Sequence, residues 1–174
     1  MAKWVIDALH SEIGFKVKHL VISTVSGKFT AFEGAIESSK DDFSDAKISF
    51  SADISSIHTG QEQRDGHLKS ADFFDAEKYP TLTFTNGTLT PAGGDYKLKG
   101  DFTLHGVTKS IELDAEFGGV QKDLYGQTVA GFEVTGKIKR SDFGLSWSAT
   151  TEAGGLVVGD DVKIHINAEL VKKD

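Results

Sequence analysis

Residues 96–117 read YKLKGDFTLHGVTKSIELDAEF. Tyr96, Leu98, Gly100, Phe102 and Leu104 alternate with Lys97, Lys99, Asp101 and Thr103, and the alternation resumes at Ile111, Leu113, Ala115 and Phe117. Successive side chains of a strand point to opposite faces, so a period of two makes each run a half-buried strand with one apolar face and one face in water. The intervening HGVTK reads as the hairpin connection between them.

Working outward, the same period recurs along the chain. It places Ile13, Phe15 and Val17 on one face of a strand, then Ile48, Phe50, Ala52 and Ile54, then Ala130, Phe132, Val134, Gly136 and Ile138, and finally Val162, Ile164, Ile166, Ala168 and Leu170. Shorter strands are predicted at Lys3 to Asp7 and Thr81 to Leu89. One run changes parity: Val25, Gly27 and Phe29 are odd, whereas Phe32, Gly34 and Ile36 are even. A β-bulge near Thr30 and Ala31 keeps both halves pointing inward and bends the strand. Turns are predicted at PAGGD (91–95) and at the glycine pairs 118–119 and 154–155.

Eight or nine antiparallel strands with one apolar face each must close into a barrel or stack as two sheets. Predicted strands of about 9 to 13 residues exceed the usual 5 to 6 and favour the barrel. The expectation is therefore an all-β antiparallel barrel of eight strands or slightly more, occupying residues 1–174 as one domain, with a sandwich as the alternative. A net charge of −7 argues against a nucleic-acid or anionic-membrane surface, which would need clustered Lys and Arg. The first residues, MAKWVIDALHSEIGF, contain no long apolar run, so neither a signal peptide nor a membrane span is predicted. The expected location is cytoplasmic for the chain as it stands, and periplasmic if it is a mature form. The absence of cysteine excludes disulfides. A homodimer is among the assemblies open to it.

The inward positions hold no Asp, Glu, Lys or Arg, so the interior offers no general base or nucleophile. They mix Phe15, Phe29, Phe50, Phe84, Phe102 and Phe132 with Gly27, Gly34, Gly100, Gly136 and Ala168. Small residues inside an eight-stranded barrel favour a cavity, whereas glycines at bends of a packed core would leave none. His10, His19, His58, His67, His105 and His165 are scattered without metal-ligand spacing, and no GxSxG elbow is present. No metal and no cofactor are expected. His105 and His165 fall on outward parity, and His19 ends an inward strand at the rim.

Residues 61–84, QEQRDGHLKSADFFDAEKYPTLTF, break the alternation. A short helix over Gln61 to Lys69, started by Thr59 or Gly60, followed by a segment ended by Pro80, makes this the long crossover of the barrel. Leu68 rests on the barrel, and Phe73 and Phe74 plug or line its mouth.

Four separated stretches, QRDGHLKSADFFDAEKYPTLTF, GDFTLHGVTKSIEL, KRSDFGLSW and VGDDVKIHINAEL, occur in an order that resembles the YceI-like family of lipocalin-like, polyisoprenoid-binding proteins. The likeness runs from about Trp4 to Leu170. It implies a barrel with an elongated apolar tunnel that holds a polyisoprenoid, an isoprenoid quinone or a fatty-acid derivative, and it implies no enzymatic activity. Together with the inward register it nominates Phe15, Val17, Phe29, Phe32, Phe50, Phe84, Phe102 and Phe132 as ligand contacts. His19 at the rim, Phe73 and Phe74 in the crossover, and Phe143 and Trp147 of KRSDFGLSW join them. The resemblance also draws attention to Arg64, Asp65, Arg140 and Asp142, and Arg64 with Asp142 or Asp65 with Arg140 would tie the crossover to the barrel.

The expected function is to carry or sequester a long-chain hydrophobic molecule. About ten buried methylenes at roughly 0.8 kcal/mol each would contribute about 8 kcal/mol before association costs. Two alternatives remain: a stress or redox-partner protein whose barrel is filled, and a metal-dependent hydrolase or isomerase using His19, His58 or His67.

Overall fold

The alternating runs become strands where the periodicity places them. A computed structural model describes residues 2–20, 22–145 and 158–173. In chain order the strands are β1 (Ala2–Ile6), β2 (Glu12–His19), β3 (Ser23–Phe29), β4 (Phe32–Ser38), β5 (Lys47–Asp53), β6 (Ile57–His58), β7 (Thr81–Ala92), β8 (Asp95–Leu104), β9 (Val107–Lys122), β10 (Thr128–Lys139) and β11 (Val158–Lys173), with one helix, α1 (Glu62–Lys69), between β6 and β7. All pairings are antiparallel, and β1 closes the sheet by pairing with β11.

The eleven segments make an eight-stranded barrel because three of its strands are broken in two. β1 and β2 lie end to end along β11, with Ile6 opposite Leu170 and Ile13 opposite Ile166. β3 and β4 continue one another, as do β5 and β6. The first break is a 3-10 turn, Ala8–His10, capped by Asp7 Oδ1, which accepts from Leu9 N at 3.0 Å. The second, at Thr30 and Ala31, is a two-residue break in place of the expected β-bulge, and the third is a 3-10 turn, Ile54–Ser56. The last two breaks support one another: Thr30 N donates to Ser56 O at 3.3 Å and Asp53 N to Ala31 O at 2.9 Å. The parity change is thereby absorbed, and Phe29 before it and Ile36 after it are both buried.

Turn chemistry follows the glycines in two places. Gly93 and Gly94 (φ +58° and +95°) turn β7 into β8, and His105 and Gly106 (φ +56° and +74°) turn β8 into β9, the positive φ values that a two-residue hairpin requires. Gly118 and Gly119 are a correction. They do not end a strand, because β9 continues to Lys122. Gly119 (φ +110°) sits beside a register shift against Gly131 and Phe132 of β10, so the pair forms a bulge. The turn itself is at Asp123, whose Oδ1 accepts from Tyr125 N and Gln127 N. The glycine pair at 154–155 lies outside the described residues.

α1 begins one residue later than expected, and Leu68 packs against the core. Pro80 O accepts from Ile54 N at 2.9 Å, which returns the chain to the barrel at the start of β7.

Candidate ligand-binding cavity

The inward faces of the barrel enclose a cavity of about 190 Å³. Its lining extends along β11 from Ile164 to Leu170, about 20 Å of strand at ~3.3 Å per residue. Ser49 is the one described lining residue with a polar side chain, and no polar atom of the described lining is exposed to the cavity. Such a surface can hold an apolar group by burial and offers a reacting group neither a proton donor nor an acceptor.

Seven phenylalanines line the cavity: Phe15, Phe29, Phe50, Phe74, Phe84, Phe102 and Phe132. Other nominated positions lie beside it. Phe32 stands next to Phe50, with ring centres 6.1 Å apart, and Phe143 is buried behind Phe102 at 5.3 Å. Val17 and His19 pair with Val162 and Val158 of β11 and are outside the lining. Trp147 lies outside the described residues.

The inward glycines play a different part from the one expected of them. Their own space is occupied, since a Cβ at Gly27 would overlap the Phe15 ring, one at Gly100 the Phe84 ring and one at Gly136 the Leu113 side chain. Each glycine is a recess in one strand that receives a large side chain from the next. A ring seated in such a recess lies along the wall, and the cavity is what remains at the axis.

The two aromatics of the crossover diverge. Phe74 lines the cavity and meets Phe29 edge-on at 6.3 Å. Phe73 is buried outside the lining, its ring 5.1 Å from that of His67, so only Phe74 occupies the expected position. His67 in turn pairs with Asp72 at 2.9 Å.

The expected ion pairs are replaced by local hydrogen bonds. Buried Asp65 accepts from Thr59 N at 2.9 Å and Thr59 Oγ1 at 2.5 Å, with His58 Nδ1 3.7 Å away. Arg64 donates through Nε to Thr59 Oγ1 and through Nη2 to Thr59 O, both at 2.7 Å. Both residues therefore lock α1 onto the end of β6. Arg140 is buried after β10 and donates to Leu145 O (2.6 Å), Gly159 O (2.8 Å) and Val158 O (3.2 Å). Burial lowers its pKa from the usual arginine value, although nearby Asp160 favours the charge. Exposed Asp142 pairs with neither Arg64 nor Arg140, and the carboxylate that bridges to this turn is Asp160, which accepts from Ser141 N and Oγ at 3.0 and 2.8 Å. The Ser141 hydroxyl holds Asp160 below the ordinary carboxylate pKa. Spacing along the chain cannot show such pairing, because either Arg could reach more than one acceptor across the barrel end.

The histidines named for metal chemistry do not converge. Among the described residues the one grouping with metal-ligand proximity is Asp7, His10 and Glu169, one ligand atom from each lying within 4.8 Å of the others. His19, His58 and His67 have no place in it. The scattered histidines hid this grouping, since Glu169 comes from the far end of the sequence. Asp7 Oδ2 and His10 Nδ1 are 2.7 Å apart, and this hydrogen bond lowers the Asp7 pKa and raises that of His10.

Sequence reasoning passed over Phe43. It lies in the polar loop SSKDDFSDAK (38–47), yet it is only 1% exposed. Its ring centre is 5.2 Å from that of Trp4, 5.4 Å from Phe117 and 5.3 Å from Phe132. A lone aromatic in a run of polar residues was the available signal.

A YceI-like domain model matches residues 4–170. The chain belongs to the YceI-like family. A Staphylococcus aureus N315 protein designated UPF0312 protein SA2479 is 39% identical over 170 residues, covering 97% of each chain. The Campylobacter jejuni YceI protein, in a crystal with large solvent channels, is 37% identical with a TM-score of 0.73 over 90% of each chain. Structures of the same fold at lower identity include Burkholderia cenocepacia BcnA, with a TM-score of 0.81 at 21% identity over 94% of this chain and 98% of that one. A polyisoprenoid binding domain from Saccharophagus degradans, implicated in plant cell wall breakdown, gives 0.71 at 18% identity over 98% of each chain. These last two show the fold. No described helix is long and apolar enough to cross a membrane.

Proposed function

We propose that this protein carries or sequesters a slim, long-chain apolar molecule of the polyisoprenoid, isoprenoid-quinone or fatty-acid class inside its barrel. The observation that carries the reading is the lining: a cavity of about 190 Å³ to which no described polar atom is exposed. That volume exceeds the roughly 150 Å³ of an apolar cavity that stays dry and binds benzene, and is below the roughly 300–1,000 Å³ of pockets that enclose compact drug-sized ligands. Set beside about 20 Å of lined strand, it suits a chain better than a ring system. The polyisoprenoid binding named for the S. degradans domain is in keeping with this class. Attachment by burial alone gives broad specificity among chains of similar girth, at roughly 0.8 kcal/mol per methylene.

A filled-barrel protein acting only through its surface is disfavoured by the cavity itself, and catalysis by the lack of a polar lining. The test is denaturing solvent extraction of freshly purified protein followed by mass spectrometry. One apolar chain per protein is expected. Empty extracts, together with no uptake of a fluorescent farnesol analogue, would overturn the proposal.

A further inference from the structure

The loop between β4 and β5 carries Phe43 back into the end of the barrel. Phe43 has φ +60°, a left-handed backbone that a bulky side chain rarely adopts and that persists only where its surroundings impose it. The imposing contacts are visible. Asp45 Oδ1 accepts from Ser38 Oγ at 2.6 Å and Lys40 N at 3.3 Å, while Oδ2 accepts from Ser39 N at 3.0 Å and from the Ser39 hydroxyl. Phe43 N donates to Lys40 O and Ala46 N to Phe43 O, and Tyr96 from β8 donates its hydroxyl to Asp42 O at 2.5 Å. These bonds fix both sides of the residue whose ring enters the barrel.

The ring meets Phe132, which lines the cavity, whereas Phe43, Trp4 and Phe117 do not line it. At this end of the barrel the lining includes Ile36, Phe132 and Leu170, and an aromatic layer of Trp4, Phe43 and Phe117 stands outside it. Trp4 and Phe117 are strand residues and part of the wall. Phe43 alone of the three comes from a loop.

We infer that Phe43 is the stopper of the barrel and sets the longest chain that the cavity accepts, with the apolar tail of the ligand ending against the Phe132–Phe43 pair. The inference rests on the carrier reading above and adds a length limit to it. A polar head group then lies at the opposite end, toward Phe74, because the aromatic layer offers it no partner.

The experiment uses the full chain with farnesol, geranylgeraniol and solanesol, in competition against a fluorescent farnesol analogue. Parent protein is expected to tighten along the series and then stop gaining once the tail reaches Phe43. In Phe43→Gly, which relieves the left-handed backbone and removes the ring, the gain should continue at about fourfold per additional methylene seated, the equivalent of ~0.8 kcal/mol. Phe43→Leu, which retains most of the stopper, should shift the limit less. As a measurement independent of variant folding, geranylgeraniol with a diazirine at its tail should label peptides containing Phe43, Phe117 or Phe132 in parent protein. An unchanged length limit in a folded Phe43→Gly, or tail labelling confined to the crossover around Phe74, would overturn the inference while leaving the carrier reading in place. Failure of the parent to bind any member of the series would instead remove the carrier reading.

Discussion

The ring of Phe84 on β7 lies over Gly100 on β8, in the space that a side chain at position 100 would occupy. Phe84 is directly opposite Phe102, so its ring reaches diagonally across the strand pair to the glycine. The two residues act as ring and recess, and the axis of the barrel stays open because the ring has somewhere else to lie. Even a methyl group at position 100 should push Phe84 off the wall and into the cavity.

Gly100→Ala is accordingly expected to weaken binding of a fluorescent isoprenoid about fivefold or more, since overpacking a filled site costs about 1–3 kcal/mol. Gly136→Ala, which meets Leu113, should act in the same direction. Lys99→Ala removes only an exposed partner of Glu112 and should leave affinity nearly unchanged. Competition binding on the three variants checks this, and equal losses in all of them would show that the inward glycines do not control the cavity.

The divergence of Phe73 and Phe74 separates binding from stability. Phe74→Ala removes a cavity wall and should speed ligand release with a smaller effect on folding. Phe73→Ala empties a buried site outside the cavity and should cost about 3–5 kcal/mol of stability or local order. Stopped-flow release and urea unfolding provide the two readings, and indistinguishable variants would contradict the placement.

Asp65 should hold the crossover more firmly than Arg64 does. Asp65 is buried and takes two hydrogen bonds from Thr59, so Asp65→Ala leaves Thr59 N and its hydroxyl without that acceptor, at about 1–3 kcal/mol. Hydrogen exchange across 59–79 should accelerate strongly in this variant and modestly in Arg64→Ala, with the barrel strands unaffected. Exchange as slow as in the parent would reduce the segment to a passive strut.

Arg140 is expected to resist conservative replacement. Its guanidinium serves the carbonyls of Leu145, Val158 and Gly159 at once, a planar fork that a lysine ammonium does not reproduce. Arg140→Lys should lower stability by about 2–4 kcal/mol, because the buried carbonyl of Leu145 and the part-buried ones of Val158 and Gly159 then lack donors. A denaturant midpoint equal to that of the parent would refute this role.

The Asp7–His10 pair gives a pH dependence of known sign. The folded His10 pKa lies above 6.5, so its contribution is complete below that value and is lost as pH rises through the raised pKa. The folded Asp7 pKa lies below 3.8, so its contribution is present above that value and is lost as pH falls through the lowered pKa. The pair therefore stabilises the joint between β1 and β2 between about pH 4 and pH 6.5. Asp7→Asn should lower the His10 titration midpoint measured by NMR and flatten the stability profile on the alkaline side of that window. An unmoved His10 midpoint would contradict the pairing.

The barrel was legible in the sequence because strand periodicity is local. Whether Ile111, Leu113 and Ala115 face inward depends on alternation, and the parity change between Phe29 and Phe32 marked the irregularity, which the structure resolves as a strand break and not as a bulge. The apolar character of the interior followed from the same register, as did most of the rings that line the cavity. What the sequence could not decide is which side chains share a place in space. The stagger of β7 against β8 seats Phe84 over Gly100, and the return of a polar loop sends Phe43 into the barrel end. The closing of the barrel gives Arg64, Asp65 and Arg140 backbone and hydroxyl partners instead of one another. Alternation specifies a face for each residue, whereas neighbours across strands and loops are set by register and closure, which exist only when the whole sheet has formed.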